Sequence, residues 1–138
     1  MNKIEHIGIA VRNLEEGNKL YAKLLGKPHY KIEEVLSEGV RTSFFELGEN
    51  KIELLEASHP ESPIAKFIEK KGEGTHHVAF AVDDIVSEMS RLKDEGFRLL
   101  NEEPKKGADN KLIAFVHPKS THGAVSYTHL TLPTKRRV

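Results

Sequence analysis

His6-Ile7-Gly8-Ile9-Ala10-Val11 returns 71 residues later as His77-Val78-Ala79-Phe80-Ala81-Val82. Each run leads into a polar pair, Arg12-Asn13 or Asp83-Asp84, and then into an apolar pattern of helical period. Self-similarity at about half the chain length marks an internal duplication, and it governs every later assignment. In the first copy Asn13 and Glu16 form a capping-box signature, and Leu14, Leu20, Tyr21, Leu24 and Leu25 mark an apolar stripe that stops at Gly26. In the second, Asp84 is the cap, Ile85, Met89 and Leu92 form the stripe, and Gly96 is the stop. Each half therefore predicts a strand followed by a helix.

Three more strands are expected in each half. After Gly26 the chain alternates through Tyr30-Lys31-Ile32-Glu33, turns near Ser37-Glu38-Gly39, runs extended from Thr42 to Leu47, turns at Gly48-Glu49-Asn50 and continues from Lys51 to Glu56. After Gly96 come Arg98-Leu99-Leu100, a polar loop to about Asn110, a strand from Leu112 to Val116, a turn at His117-Pro118-Lys119 and a last strand from near Gly123. Between the halves, Ser62 is an N-cap followed by Pro63 at the first helical position; Ile64, Phe67 and Ile68 form a short stripe and Gly72 ends it. The reading is α+β: two tandem βαβββ modules at about 1–58 and 73–124, joined by a helix at about 62–71, in one domain spanning 1–124.

Residues 125–138 break the pattern. From Ser126 to Arg137 threonine and leucine alternate without a glycine turn or an acidic residue, and Val125 to Thr134 reads like translated sequencing adapter. The tail is expected to be foreign, with the last strand degraded or replaced. Leaving out Lys135, Arg136 and Arg137 gives 18 basic against 21 acidic residues, a body charge of −3.

Composition narrows the function classes. The 138 residues are 38% hydrophobic and 30% charged, as in a soluble globular domain rather than a disordered chain or a membrane span. With no cysteine, disulfides, thiolate metal sites and cysteine nucleophiles are excluded. The balance of 21 basic and 21 acidic residues argues against a nucleic-acid partner. The Met-Asn-Lys-Ile start has no apolar signal core, so a cytoplasmic location is expected.

Strand parity singles out the site. His6, Gly8 and Ala10 share one face, as do His77, Ala79 and Ala81, so each histidine stands beside the smallest side chains available. That pattern leaves volume for a cavity, and the repeat relates the two histidines by an approximate two-fold. A lone histidine at a strand start is more often a satisfied core residue; the repetition favours the ligand reading. Glu53, between Ile52 and Leu54, is a carboxylate on the face opposite two apolar neighbours, either a third ligand or a solvated edge residue. Two imidazoles and a carboxylate suit a divalent ion of the zinc, cobalt, manganese or iron range. The counterpart of Glu53 falls near 126 or 127, where the sequence has Ser126 and Tyr127. His76 has the opposite parity and is expected to be exposed or packed, and His117 belongs to a turn. Lys105-Lys106 reads as a solvated loop or as phosphate contacts.

A paired strand-helix-three-strand module with histidine on the first strand of each half resembles the vicinal oxygen chelate superfamily (glyoxalase/bleomycin resistance/dioxygenase). Within it the chain is similar to the methylmalonyl-CoA epimerases, through His6 to Val11, Lys51 to Glu56, Ser62 to Ile68, Gly72 to Val78 and Phe115 to Ser120, in that order. The resemblance implies a curved, partly open mixed sheet around a metal-binding cleft. It also implies a divalent metal (Co, Mn, Zn or Mg) held by His6, Glu53, His77 and a last-strand glutamate that also moves a proton. Tyr127 matches that glutamate, and its phenol is neutral near pH 7. The implied activity is epimerisation of (2R)- and (2S)-methylmalonyl-CoA through a metal-stabilised enolate, with an acyl-CoA as partner, no nucleic acid or membrane, and a homodimeric assembly. Glu38 and Glu46 are the nearest acidic candidates for the second proton-transfer group. The competing expectations are a lactoylglutathione lyase-like metalloenzyme and a non-catalytic small-molecule-binding module of the same fold.

Overall fold

The computed structural model describes residues 1–123 and, for the backbone, 127–133. What the sequence predicts for 124–126 and 134–138, including half of the supposed foreign tail, lies outside the described residues. The elements run β1 (Lys3–Ala10), α1 (Leu14–Leu25), β2 (Lys31–Val35), β3 (Val40–Leu47), β4 (Asn50–Ala57), α2 (Pro63–Lys71), β5 (Gly74–Ala81), α3 (Ile85–Asp94), β6 (Lys105–Lys106), β7 (Lys111–Val116) and β8 (Tyr127–Pro133). Strands and helices alternate as an α+β fold of two βαβββ halves. The chain divides into two compact units, one spanning His6–His76 and the other made of residues 1–5 with the chain from His77 onward. No helix among the described residues is long and apolar enough to cross a membrane.

In the His6–His76 unit the strand order is β2-β3-β4-β1, with β1 parallel to β4 and the other pairs antiparallel. Helix α1 starts where Asn13 Oδ1 accepts the Glu16 N–H at 2.9 Å and ends at Gly26, whose φ of 81° is one that residues with a Cβ rarely adopt. It packs on one sheet face, where Val11, Leu14, Phe45 and Leu54 form a buried cluster flanked by Ile9, Tyr21, Leu25 and Ile52. The buried stripe differs from the one read in the sequence, because Leu20 and Leu24 are exposed while Gly17 and Asn18 are buried. The reason is the close approach of helix to sheet: a Cβ on Gly17 would sit 3.2 Å from Leu54 Cδ1. Next to it, Ser43 Oγ donates to Asn18 Oδ1 at 2.5 Å, which satisfies a buried polar pair. Helix α2 begins as expected, with Ser62 Oγ accepting the Ala65 N–H at 3.1 Å and Pro63 at the first helical position.

In the other unit the order is β5-β8-β7-β6, with β5 parallel to β8 and the remaining pairs antiparallel. Helix α3, capped by Asp84, buries Ile85, Met89 and Leu92 against Val82, Ala114 and Val116. One expected strand is largely missing. Of Arg98-Leu99-Leu100 only an isolated bridge from Leu99 to Val116 forms, and β6 lies further on, at Lys105–Lys106. The Asn101 side chain takes the place of a backbone partner: its Oδ1 accepts the Phe115 N–H at 2.9 Å and its Nδ2 donates to Glu103 O at 2.7 Å. Such side-chain bonds compete with a ladder and stop it. The last strand starts later than Gly123, after a 3₁₀ turn at Pro118–Thr121, and β8 pairs on both sides, with β5 and with β7.

Candidate functional site

The site is built on the face of the His6–His76 unit that α1 leaves free. Across β1, β4 and β3, Gly8, Glu53 and Phe44 stand in one row, and His6, Lys51 and Glu46 stand in the next. Ile52 and Leu54, on either side of Glu53, turn the other way to pack under α1, and this alternation fixes the carboxylate on the histidine's face. Gly8 adds no side chain beside Glu53. The outcome is a buried pair: His6 Nδ1 lies 3.2 Å from Glu53 Oε2, with both side chains at most 7% exposed.

Burying a carboxylate is costly unless opposite charge or hydrogen bonds compensate it. An imidazole and a carboxylate held this closely in a buried setting are donors of the kind that zinc, cobalt or manganese takes. The donor chemistry of this pair therefore fits a divalent ion. In the other unit His77 is buried on β5, with Tyr127 at its register position on β8.

The remaining sequence candidates sort clearly. His76 is packed, edge-on to the Phe67 ring with centroids 4.9 Å apart, and burial pushes its imidazole down from 6.5 to about 4. His117 caps its own turn, its Nδ1 accepting the Lys119 N–H at 3.0 Å. Glu46 shares the row of Lys51 and His6 but is exposed, and Glu38 lies in the 3₁₀ turn after β2. Lys105 reaches over the Phe115 ring, 5.4 Å from its centroid.

Phe44 was not singled out from sequence, yet it is fully buried directly beside Glu53. Lys31 and Lys51 lie 4.7 and 5.7 Å from its ring centroid, within cation–π range. A signal for it existed: Phe44 and Phe115 are separated by 71 residues, the offset that relates His6 to His77. Each unit thus sets a lysine over a repeat-related phenylalanine on the strand after its hairpin or loop.

Comparison with known proteins bears on this geometry. Residues 5–115 match the model of the Glyoxalase/Bleomycin resistance protein/Dioxygenase superfamily. The chain is 37% identical over 125 residues to the uncharacterized protein YqjC of Bacillus subtilis, covering 91% of this chain and 89% of that one. It is 38% identical over 127 residues to an ethylmalonyl-CoA/methylmalonyl-CoA epimerase of Cereibacter sphaeroides, covering 91% of this chain and 95% of that one. Among solved structures, a variant of Streptomyces coelicolor methylmalonyl-CoA epimerase in complex with 2-nitronate-propionyl-CoA superposes with a TM-score of 0.93 at 31% identity, covering 100% of this chain and 99% of that one.

Proposed function

The chain belongs to the glyoxalase/bleomycin resistance protein/dioxygenase superfamily, and from that membership we propose that it is a divalent-metal-dependent epimerase interconverting (2R)- and (2S)-methylmalonyl-CoA. The observation that carries the reading is the buried His6–Glu53 pair at 3.2 Å, with His77 at the repeat-related position. The epimerases similar to this chain over nearly its whole length supply the substrate class.

In methylmalonyl-CoA, C2 lies between a thioester and a carboxylate, and its hydrogen is weakly acidic. Epimerisation removes that proton from one face and returns one to the other. A divalent ion held by His6, Glu53 and His77 would act as a Lewis acid on the oxygens flanking C2, stabilising the negative charge that develops there. His6 and Glu53 hold fixed positions because the Ile52 and Leu54 side chains anchor β4 under α1. Lys31 and Lys51, over Phe44, add positive charge to the face that would meet a polyanionic acyl-CoA. The proton itself needs positioned acid–base groups, worth about 10²–10⁴-fold. With tyrosine where the family's glutamate is expected, turnover by the unchanged chain should be slow.

The test is deuterium incorporation at C2 of methylmalonyl-CoA in D₂O with added Co²⁺. It uses the unchanged chain and the variant Tyr127→Glu. Chelator-sensitive exchange that is slow in the unchanged chain and faster in the variant is expected. Absence of exchange in both, with cobalt bound, would reject the assignment.

A further inference from the structure

We propose that Lys31 and Lys51 bind the free carboxylate of the acyl group and so set a preference for malonyl-type over simple acyl-CoA thioesters. The inference rests on the epimerase reading above and adds to it the residues that choose the acyl group.

All the residues involved belong to the His6–His76 unit. Lys31 on β2 stands opposite Phe44 on β3, and Phe44 stands opposite Glu53 on β4. Lys51 precedes Glu53 by two residues on β4 and stands opposite His6 on β1. Side-chain parity therefore puts both lysines on the face that carries His6 and Glu53. Their ammonium groups converge on one ring: Lys31 Nζ lies 4.7 Å and Lys51 Nζ 5.7 Å from the centroid of Phe44. Phe44 is fully buried, so its ring is a fixed platform, and attraction to that ring directs two otherwise flexible side chains.

Two like charges gathered at one ring repel each other, and an anion shared between them relieves that repulsion. Two carboxylates of the same face hold them only loosely. Glu33 lies 3.7 Å from Lys31 with both side chains more than a third exposed, and Glu46, opposite Lys51 on β3, is exposed. Surface pairs of this kind contribute little and are readily exchanged for a ligand.

Of the anionic groups of an acyl-CoA, the acyl carboxylate is the one that fits this place. A carboxylate on C2 lies within a few bonds of the thioester, and Lys51 is one strand from His6 and one pleat, about 7 Å, from Glu53. The phosphates are separated from the thioester by the whole pantetheine arm, which is far longer than that. An ammonium group offers three donors and no acceptor. The pair is therefore satisfied by a carboxylate and left without a partner anion when hydrogen replaces it, which is the kind of difference a binding site discriminates well.

The test is calorimetric titration of the cobalt-loaded full chain with malonyl-CoA and with acetyl-CoA, which differ only in the carboxylate. The unchanged chain is compared with Lys31→Gln, Lys51→Gln and Lys19→Gln, the last at an exposed position on α1. Each of the first two should lose about 10–100-fold in affinity for malonyl-CoA, the effect of one charge-assisted hydrogen bond, and nothing for acetyl-CoA. Lys19→Gln should lose affinity for neither. Lys31→Arg and Lys51→Arg keep the charge and should keep the preference for malonyl-CoA. Equal losses for the two ligands would assign the lysines to the phosphates, and unaltered malonyl-CoA affinity in Lys31→Gln or Lys51→Gln would separate that lysine from the carboxylate. Either result overturns the inference and leaves the epimerase reading standing. Failure of the unchanged chain to bind cobalt or malonyl-CoA would overturn both.

Discussion

His6 Nδ1 lies 3.2 Å from Glu53 Oε2 although the two residues belong to different strands, and both side chains are buried. Parallel pairing of β1 with β4 brings them together, since the register sets Gly8 opposite Glu53 and leaves His6 two residues back on the same face. Glu53→Ala should lower Co²⁺ affinity by at least ~10-fold. Glu34→Ala, at an exposed carboxylate of opposite parity on the edge strand β2, should leave it unchanged. Equal affinities in the two variants, measured by titration, would remove Glu53 from the proposed centre.

His76 gives a pH dependence with a defined sign. Burial holds its imidazole near 4 in the folded protein against 6.5 for the free group. Above the higher value both states are neutral and the group contributes no slope. Between the two values the unfolded chain takes up a proton that the folded protein does not, so stability falls as the pH drops through this window and levels off below it. The largest loss is about 3 kcal/mol. Denaturant unfolding of the metal-free protein at pH 7, 5.5 and 4 should show wild type losing more stability than His76→Leu. Parallel curves would count against a neutral, buried His76.

Two glycines with nearly the same backbone should respond differently to alanine. Gly39 and Gly48 have φ of +65° and +64°, but a Cβ on Gly39 would sit 2.7 Å from Ser62 Cβ, whereas a Cβ on Gly48 meets nothing within 4 Å. Gly48→Ala should cost only the left-handed penalty of about 1–2 kcal/mol. Gly39→Ala adds overpacking of about 1–3 kcal/mol to that. Thermal melts rank the pair, and a larger loss in Gly48→Ala would contradict the packing.

The amino end of α1 receives a carboxylate from β4. Glu56 Oε2 accepts the Leu14 N–H at 3.1 Å, and Glu56 Oε1 accepts from Arg41 Nη1 at 2.8 Å. Glu56→Ala should cost about 1–2 kcal/mol, from a lost charge-assisted bond at a helix amino terminus. Glu15, exposed and 3.5 Å from the same arginine, should cost at most about 0.5 kcal/mol when replaced by alanine. Chemical denaturation of Glu56→Ala and Glu15→Ala tests that order.

Local sequence determined much of this protein. The duplicated run at His6 and His77 announced two similar halves. Asn13, Ser62 and Asp84 marked three helix starts, and the alternation around Glu53 set that residue apart from Ile52 and Leu54. These features act within a few residues of chain, where capping and side-chain parity operate. What only the tertiary structure decided depends on partners far along the chain. The helix face that packs was chosen by the fit of Gly17 against Leu54 rather than by the hydrophobicity of Leu20 and Leu24. The strand expected at Arg98–Leu100 yielded to Asn101, whose side chain took the Phe115 N–H. The position opposite Ala79 could not be read by counting from Glu53, because the length of a turn adds no periodic signal while pairing on both sides of β8 sets its register.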